Sequence, residues 1–176
     1  MKSLKSDELK LQMNRLRERI RSDKEQLTKL EHELDVVIEQ ERERQSYINS
    51  KEIAQTIEKS TGKSVDMSTI KRWADKGYLG VIYDEREKFS ALDVGSGKQR
   101  NVFERTAVLR FLLERQYIRP AFEVLDLVRA HKLPGQPIAT IISQKLGPDG
   151  FEYAIQLESD TEILEKMREE ELESCL

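Results

Sequence analysis

Four polar side chains at the start of one short helical segment are the strongest candidates for ligand contact in this sequence. Ser68, Thr69, Lys71 and Arg72 flank an apolar stripe that includes Trp73. The free backbone amides of a helix N-terminus attract phosphate, and Lys and Arg side chains reach guanine edges or the DNA backbone. The segment therefore suits the major groove of DNA. A solvated helix in a helical protein is the alternative.

A glycine-rich basic stretch and a short connection supply further candidates. Residues 95–101 carry Lys98 and Arg100 among glycines and polar residues. This is the composition of a wing tip that touches a phosphate or enters a minor groove. A mobile surface loop is the alternative. Lys63 and Ser64, just ahead of the short helical segment, complete the residues predicted to contact DNA.

The sequence shows no pattern typical of catalysis or metal binding. It has two histidines, His32 and His131, and no phosphate loop, nucleophile motif or metal-ligand spacing. Cys175 is the single cysteine, which excludes an intramolecular disulfide framework and a cysteine-rich metal site. We therefore expect no enzymatic activity, no metal and no cofactor.

Two short helices and a hairpin are predicted to position the basic residues. The first helix can be capped by Asn49, with Glu52 completing a capping box, or by Ser50, and Gly62 ends it. The second can begin at Asp66. Its other possible cap is Ser68, and its inward side chains are predicted to be Ile70, Trp73 and Ala74. Apolar residues at 81–83 and 89–94 predict the two strands of a hairpin, and a further helix is predicted to start at Val102–Phe103.

The first 46 residues are predicted to form a coiled coil. An apolar seam repeats at alternating spacings of four and three, interrupted once, by Asp23; its apolar members are Leu9, Met13, Leu16, Ile20, Leu27, Leu30, Leu34 and Val37. Such a helix is stable only with a partner, so we expect a homodimer, and the flanking charges favour antiparallel pairing. The alternative is one amphipathic helix packed on its own domain.

The last third of the chain is predicted to be mostly helical. The predicted elements are helices over 103–116, 121–132 and 137–146, a turn at 147–150, a strand over 151–157, and an acidic helix or tail over 160–174. The acidic end could bind a protein partner, although a solvated helix is the alternative.

Charge divides unevenly along the chain. Residues 1–46 carry 11 basic and 11 acidic side chains, residues 47–118 carry 13 and 10, and residues 119–176 carry 6 and 12. The basic excess of the middle segment is weak evidence for nucleic acid by itself, because phosphate binding depends on clustering. No apolar run approaches the roughly 20 residues of a membrane span, and no signal peptide is recognisable. We expect a cytoplasmic protein.

The middle segment resembles the MerR-type winged helix-turn-helix, a fold shared with phage excisionases and some small terminase subunits. The similarity lies in residues 50–54, 68–79, 100–103 and 106–112, and its most specific part is Thr-Ile-Lys-Arg-Trp at 69–73 with Gly-Tyr-Leu at 77–79. The resemblance implies that the second helix lies in the major groove. It also implies that Lys98 and Arg100 lie in the wing.

Together these observations predict a mainly α protein in three parts. They are a coiled-coil dimerisation helix over 1–46, a winged helix-turn-helix domain over 47–118, and a helical extension with an acidic tail over 119–176. The predicted function is that of a dimeric, sequence-specific regulator bound to double-stranded DNA. A plasmid-partition or phage-packaging protein that marks a DNA site, and a coiled-coil adaptor that binds protein, are the alternatives.

Overall fold

The computed structural model describes residues 2–93, 100–158 and 162–175. Its helices are α1 (Lys2–Arg44), α2 (Ser50–Thr61), α3 (Met67–Asp75), α4 (Glu85–Lys88) and α5 (Arg105–Glu114). Its strands are β1 (Tyr47–Asn49), β2 (Tyr83–Asp84), β3 (Asn101–Glu104), β4 (Leu127–Ala130), β5 (Ile138–Gly147), β6 (Gly150–Leu157), β7 (Ile163–Arg168) and β8 (Leu172–Ser174). Helix α1 and Ala91–Asp93 form one compact unit, and the other described residues from Gln45 onward form a second.

The expected mainly α fold is wrong, because the second unit contains two antiparallel sheets. One has the strand order β1-β3-β2, and the other has the order β7-β6-β5-β4-β8. The helices predicted over 121–132 and 137–146 are replaced by β4 and β5. In β4, Val128 and Ala130 are buried while their neighbours are exposed, and Ala139 and Ile141 repeat this alternation in β5. That period of two is the period of a strand with one buried face.

The acidic C-terminal segment is also not the predicted helix or tail. It forms β7, a single 3-10 turn at Glu169–Glu171, and β8. These two strands lie at opposite edges of the five-stranded sheet. Charged side chains are common on edge strands because they prevent pairing with other molecules. The turn predicted at 147–150 does join two strands, and the strand predicted over 151–157 is β6.

Helix α1 spans the segment predicted to be one long helix. Its apolar seam, as defined above, is exposed from Leu9 to Leu34, while Val37 is half-buried. Near that end the Gln40 side-chain oxygen accepts a hydrogen bond from the Ala91 N–H at 2.9 Å. The helix therefore presents a long apolar surface to solvent.

Helices α2, α3 and α5 enclose the first core of the second unit. Asn49 and Glu52 form the predicted capping box at the start of α2: each side chain accepts a hydrogen bond from the other residue's N–H, at 3.0 and 2.7 Å. Gly62 ends α2 in the left-handed conformation, with φ of 69°. The buried side chains of this core include Ile53, Ile57, Ile70, Trp73, Phe103, Val108 and Leu112. The core fixes which face of α3 remains outside.

The predicted hairpin between 81–83 and 89–94 is wrong in its second strand. Asp84 caps α4, since its carboxylate accepts hydrogen bonds from the N–H groups of Arg86 and Glu87. Phe89 follows that helix and is fully buried. Strand β2 instead pairs with β3, in the register Tyr83 to Val102. Val102 and Phe103 therefore belong to the central strand rather than to a helix, and α5 begins two residues later.

A second core lies under the five-stranded sheet. Tyr153 is fully buried there, and its hydroxyl donates to Glu169 Oε1 at 2.9 Å and accepts from the Ala121 N–H at 3.0 Å. Burial, with the adjacent Glu169 carboxylate, raises the pKa of Tyr153 well above its usual range. Phe151 packs against both cores, so the sheet and the three helices are joined through apolar contact.

Asp66 gives α3 a pH-sensitive start. Its carboxylate accepts a hydrogen bond from the Ser68 N–H at 2.7 Å, and this bond, with a further one from the Ser68 side chain, lowers the pKa of Asp66 below its ordinary 3.8. The ionised form is thus favoured in the folded state. Its contribution to stability is complete above the ordinary pKa and is lost as the pH falls through the lower folded value.

Replacement of Asp66 should reveal this titration. Asn caps a helix about as well as Asp but carries no titratable carboxyl. We expect Asp66→Asn to match the parent's Tm near neutral pH and to lose less of it on acidification, whereas Asp66→Ala should have a lower Tm at neutral pH. Thermal unfolding followed by circular dichroism across the acid range measures this. Parallel acid losses in parent and Asp66→Asn would show that Asp66 plays no such part.

Candidate nucleic-acid interface

A groove with a volume of about 550 Å³ lies beside α3, and we call it the α3 groove. It is bounded by the start of α2, one side of α3, and the beginning of β3. The lining residues are Asn49, Ser50, Lys51, Met67, Lys71, Ala74, Asp75, Arg100, Asn101 and Phe103. All belong to the second unit. The groove is therefore built from three elements that are distant in sequence.

Three cations converge on the α3 groove. Lys51, Lys71 and Arg100 come one from each bounding element, and all three residues are exposed. Asp75 is the acidic member of the lining, one helical turn beyond Lys71. Phe103, which is 1% exposed, contributes an apolar wall. The lining combines positive charge with hydrogen-bonding groups and apolar contact, which is the set used to hold a polyanion and to read base edges.

The local sequence explains how each cation is held. The capping box at Asn49 fixes the first turn of α2 and hence the direction of Lys51. Burial of Ile70 and Trp73 turns Lys71 outward. Arg100 precedes β3, and its carbonyl accepts a hydrogen bond from the Glu85 N–H at 2.9 Å. The positions of the three backbones are therefore set by capping, core packing and strand pairing.

The predicted contact residues lie in different places, and only two of the described ones line the α3 groove. These two are Lys71 and Arg100. Ser68 and Arg72 are exposed on α3 outside it, and the Arg72 guanidinium is 3.5 Å from the hydroxyl of the half-buried Thr69. The remaining described pair, Lys63 and Ser64, is exposed in the connection between α2 and α3. Lys98 lies outside the described residues.

Residues from the start of α2, from α3 and from β3 were missed by the sequence interpretation. Lys51 lies in the segment 50–54 that carries the family resemblance but was not predicted to contact DNA, and neither were Asp75 and Asn101, although all three line the α3 groove. A local pattern does not show that α2 begins next to α3. The capping pattern was nevertheless a usable signal, because it limited the cap of α2 to Asn49 or Ser50, and Asn49 is the cap in the structure.

Comparison with known proteins identifies no relative: no family model, curated protein or solved structure matches the chain. Among the described residues, no group of three or more His, Cys, Asp or Glu side chains could hold a metal ion. Across the same residues, no helix has the combination of length and apolar character needed to cross a bilayer. The site must therefore be interpreted from its own geometry.

Proposed function

We propose that this chain is a cytoplasmic, sequence-specific DNA-binding protein, a transcriptional regulator of MerR-like type that acts as a homodimer through α1. The observation that carries the proposal is the convergence of Lys51, Lys71 and Arg100 on one groove beside the exposed face of α3. Clustered cations favour a phosphate backbone by releasing its counterions. Their convergence is more informative than the small basic excess of the middle segment.

The dimensions and order of the elements support this proposal. Helix α3 has nine residues, and an α-helix with its side chains is about 10 to 12 Å across, which fits a B-DNA major groove about 12 Å wide. It follows α2 across residues 62–66, and an antiparallel strand pair comes after it. Two helices joined by a turn and followed by a paired wing are the parts of a winged helix-turn-helix.

The charged side chains of the α3 groove divide into two roles in this proposal. Lys71 and Asp75 point into the groove from successive turns of α3, where Lys can donate to guanine O6 and N7, and Asp can accept from cytosine N4. Lys51 and Arg100, on the flanking elements, bind phosphate. Arg72, outside the groove on the same helix, lies near Thr69 and can reach the adjacent strand of the duplex.

This division predicts two different mutational signatures. Replacing Lys71 by Ala should weaken the specific site by roughly 1 to 3 kcal/mol and relax the preference for it, because a base contact is lost. Arg100→Ala should weaken specific and scrambled DNA about equally. It should also lower the slope of log affinity against log salt by about one for a lost phosphate contact. Fluorescence anisotropy over a salt series measures both quantities.

Lys132→Ala supplies the matched control. Lys132 is an exposed cation next to β4, within 4.0 Å of Glu170, and it is not among the residues that line the α3 groove. Its replacement removes the same charge and should leave affinity and salt slope unchanged. If Lys71→Ala, Arg100→Ala and Lys132→Ala all behave like the parent, the α3 groove does not bind DNA.

A further inference from the structure

The seam of α1 is an unoccupied apolar surface of unusual length. Leu9, Met13, Leu16, Ile20, Leu27, Leu30 and Leu34 each expose between 50% and 61% of their surface. An isolated helix with this much exposed apolar area is only marginally stable in water. A further helix packed along the seam would remove these side chains from solvent.

The residues beside the seam have a polarity of their own. Arg17, Arg19 and Lys24 flank its first half, and Glu31 and Glu33 flank its second half. All five are exposed. In a coiled coil the flanking positions set the partner and its orientation. When two copies of such a helix pair in opposite directions, the basic end of each lies beside the acidic end of the other.

We propose that α1 binds the α1 of a second copy in antiparallel orientation. In this register Leu16 packs against Leu34 of the other copy, and Ile20 packs against Leu30. The facing apolar pairs of this coil are arranged symmetrically about residue 25. The exposed part of the seam ends at Val37, which is half-buried. The occupant is a second copy because the charges beside these pairs match the same helix reversed.

The flanking charges discriminate between the two orientations. Antiparallel pairing brings Arg17 near Glu31 and Arg19 near Glu33, and each of these attractive pairs occurs twice per dimer. The one like-charge contact in this orientation is between the two Lys24 side chains at the two-fold axis. Parallel pairing places Arg19 near Lys24 twice and offers neither attraction. Each exposed pair is weak, but all the attractive ones favour the antiparallel form.

The antiparallel dimer has a consequence for DNA that rests on the proposed function. Arg44 lies opposite residue 6 of the other copy, so the two chains leave the coil at points about 57 Å apart. A parallel coil would release both chains at one end. The antiparallel dimer therefore suits two separated DNA sites, or two duplexes, better than half-sites one helical turn apart.

A spin label at a single position measures the orientation without DNA. Cys175 is exposed, so Cys175→Ser is the background, and Glu39→Cys places the label on the outer side of α1. Residue 39 lies opposite residue 11 in the antiparallel dimer, which separates the two labels by about 42 Å along the coil. Glu25→Cys is the control, because residue 25 lies opposite itself in either orientation.

The two orientations of the coil predict different pairs of label distances. A long distance at residue 39 with a short one at residue 25 supports the proposal. Short distances at both positions mean a parallel coil and overturn it, as does a full-length protein that is a monomer by sedimentation. Because no DNA is present, failure of the proposed DNA binding would leave this result standing.

Charge reversal gives a second test whose sign differs between the orientations. Arg19→Glu should weaken the antiparallel dimer several-fold, because the new carboxylate at position 19 repels Glu33 of the other copy, which Arg19 attracted. Adding Glu33→Arg to the same chain should restore the dimer. In a parallel coil Arg19→Glu would instead strengthen association by pairing with Lys24. Sedimentation equilibrium of the full chain measures each dissociation constant.

Discussion

Replacement of Trp73 by Ala should strongly destabilise the second unit rather than only weaken its binding to DNA. The side chain is 7% exposed, and its ring lies 4.7 Å from Tyr117 and 5.4 Å from Phe111, between ring centroids. Truncation of a buried aromatic residue to Ala costs roughly 3 to 5 kcal/mol, a large part of the 5 to 15 kcal/mol that stabilises a typical domain. Urea unfolding followed by circular dichroism measures the loss.

Trp73→Phe is the matched control for this variant. It keeps an aromatic ring in the same core and should lose much less stability than Trp73→Ala. Trp73 is also the single tryptophan of the chain, so fluorescence reports on this core in the parent. An unchanged unfolding midpoint in Trp73→Ala would contradict the orientation of α3 described above, and with it the outward facing of Lys71.

Deletion of residues 1–44 should leave a monomer that binds a two-site duplex about 10²- to 10⁴-fold more weakly. Linking two binding units turns the second contact into an intramolecular one with a high effective concentration. Residues 1–44 carry 11 basic and 11 acidic side chains, so their removal leaves the net charge unchanged. The loss would therefore reflect lost linkage rather than lost attraction to phosphate.

A one-site duplex and a full-length variant complete this experiment. The deletion should bind a one-site duplex about as well as the parent does, and Ile20→Lys with Leu27→Lys, which charges the seam, should reproduce the deletion's defect. Sedimentation measures the oligomeric state of each variant, and fluorescence anisotropy measures its affinity for each duplex. If the deletion variant remains a dimer, the dimer interface lies in the second unit and not in α1.

The sequence predicted the elements whose signals are local. The capping box at Asn49 and Glu52, the helix end around Gly62 and the inward stripe of α3 were each visible within a few residues. The faces of α3 followed because Ile70 and Trp73 recur at helical spacing. These local signals were enough to predict the outward position of Lys71.

The elements that were predicted wrongly pair or pack with residues that are distant in sequence. Strand β3 pairs with both β1 and β2, and no short-range pattern joins Val102 to Tyr83. Beyond residue 119 the apolar residues were counted at helical spacing, although the segment from Ile138 to Ile142 is β-branched at four of its five positions, which is typical of strands. Charged β7 and β8 resembled a solvated helix because edge strands need few apolar residues.

The composition of the α3 groove was predictable only in part. Lys71 and Arg100 were named from their residue types, whereas Lys51 became a candidate once α2 and β3 were seen beside α3. Three cations from separate elements form one surface only through the tertiary fold. Charge counting along the sequence therefore underestimated the local concentration of positive charge.

Selection of bound duplexes from a random-sequence pool tests the central claim most directly. Three samples should be compared: the parent, the triple variant Lys51→Ala, Lys71→Ala and Arg100→Ala, and the Lys132→Ala control. We predict that the parent and the control enrich the same sequence motif and that the triple variant, folded by circular dichroism, enriches none. The account is contradicted if the parent retains no motif, or if the triple variant enriches the same motif as the parent.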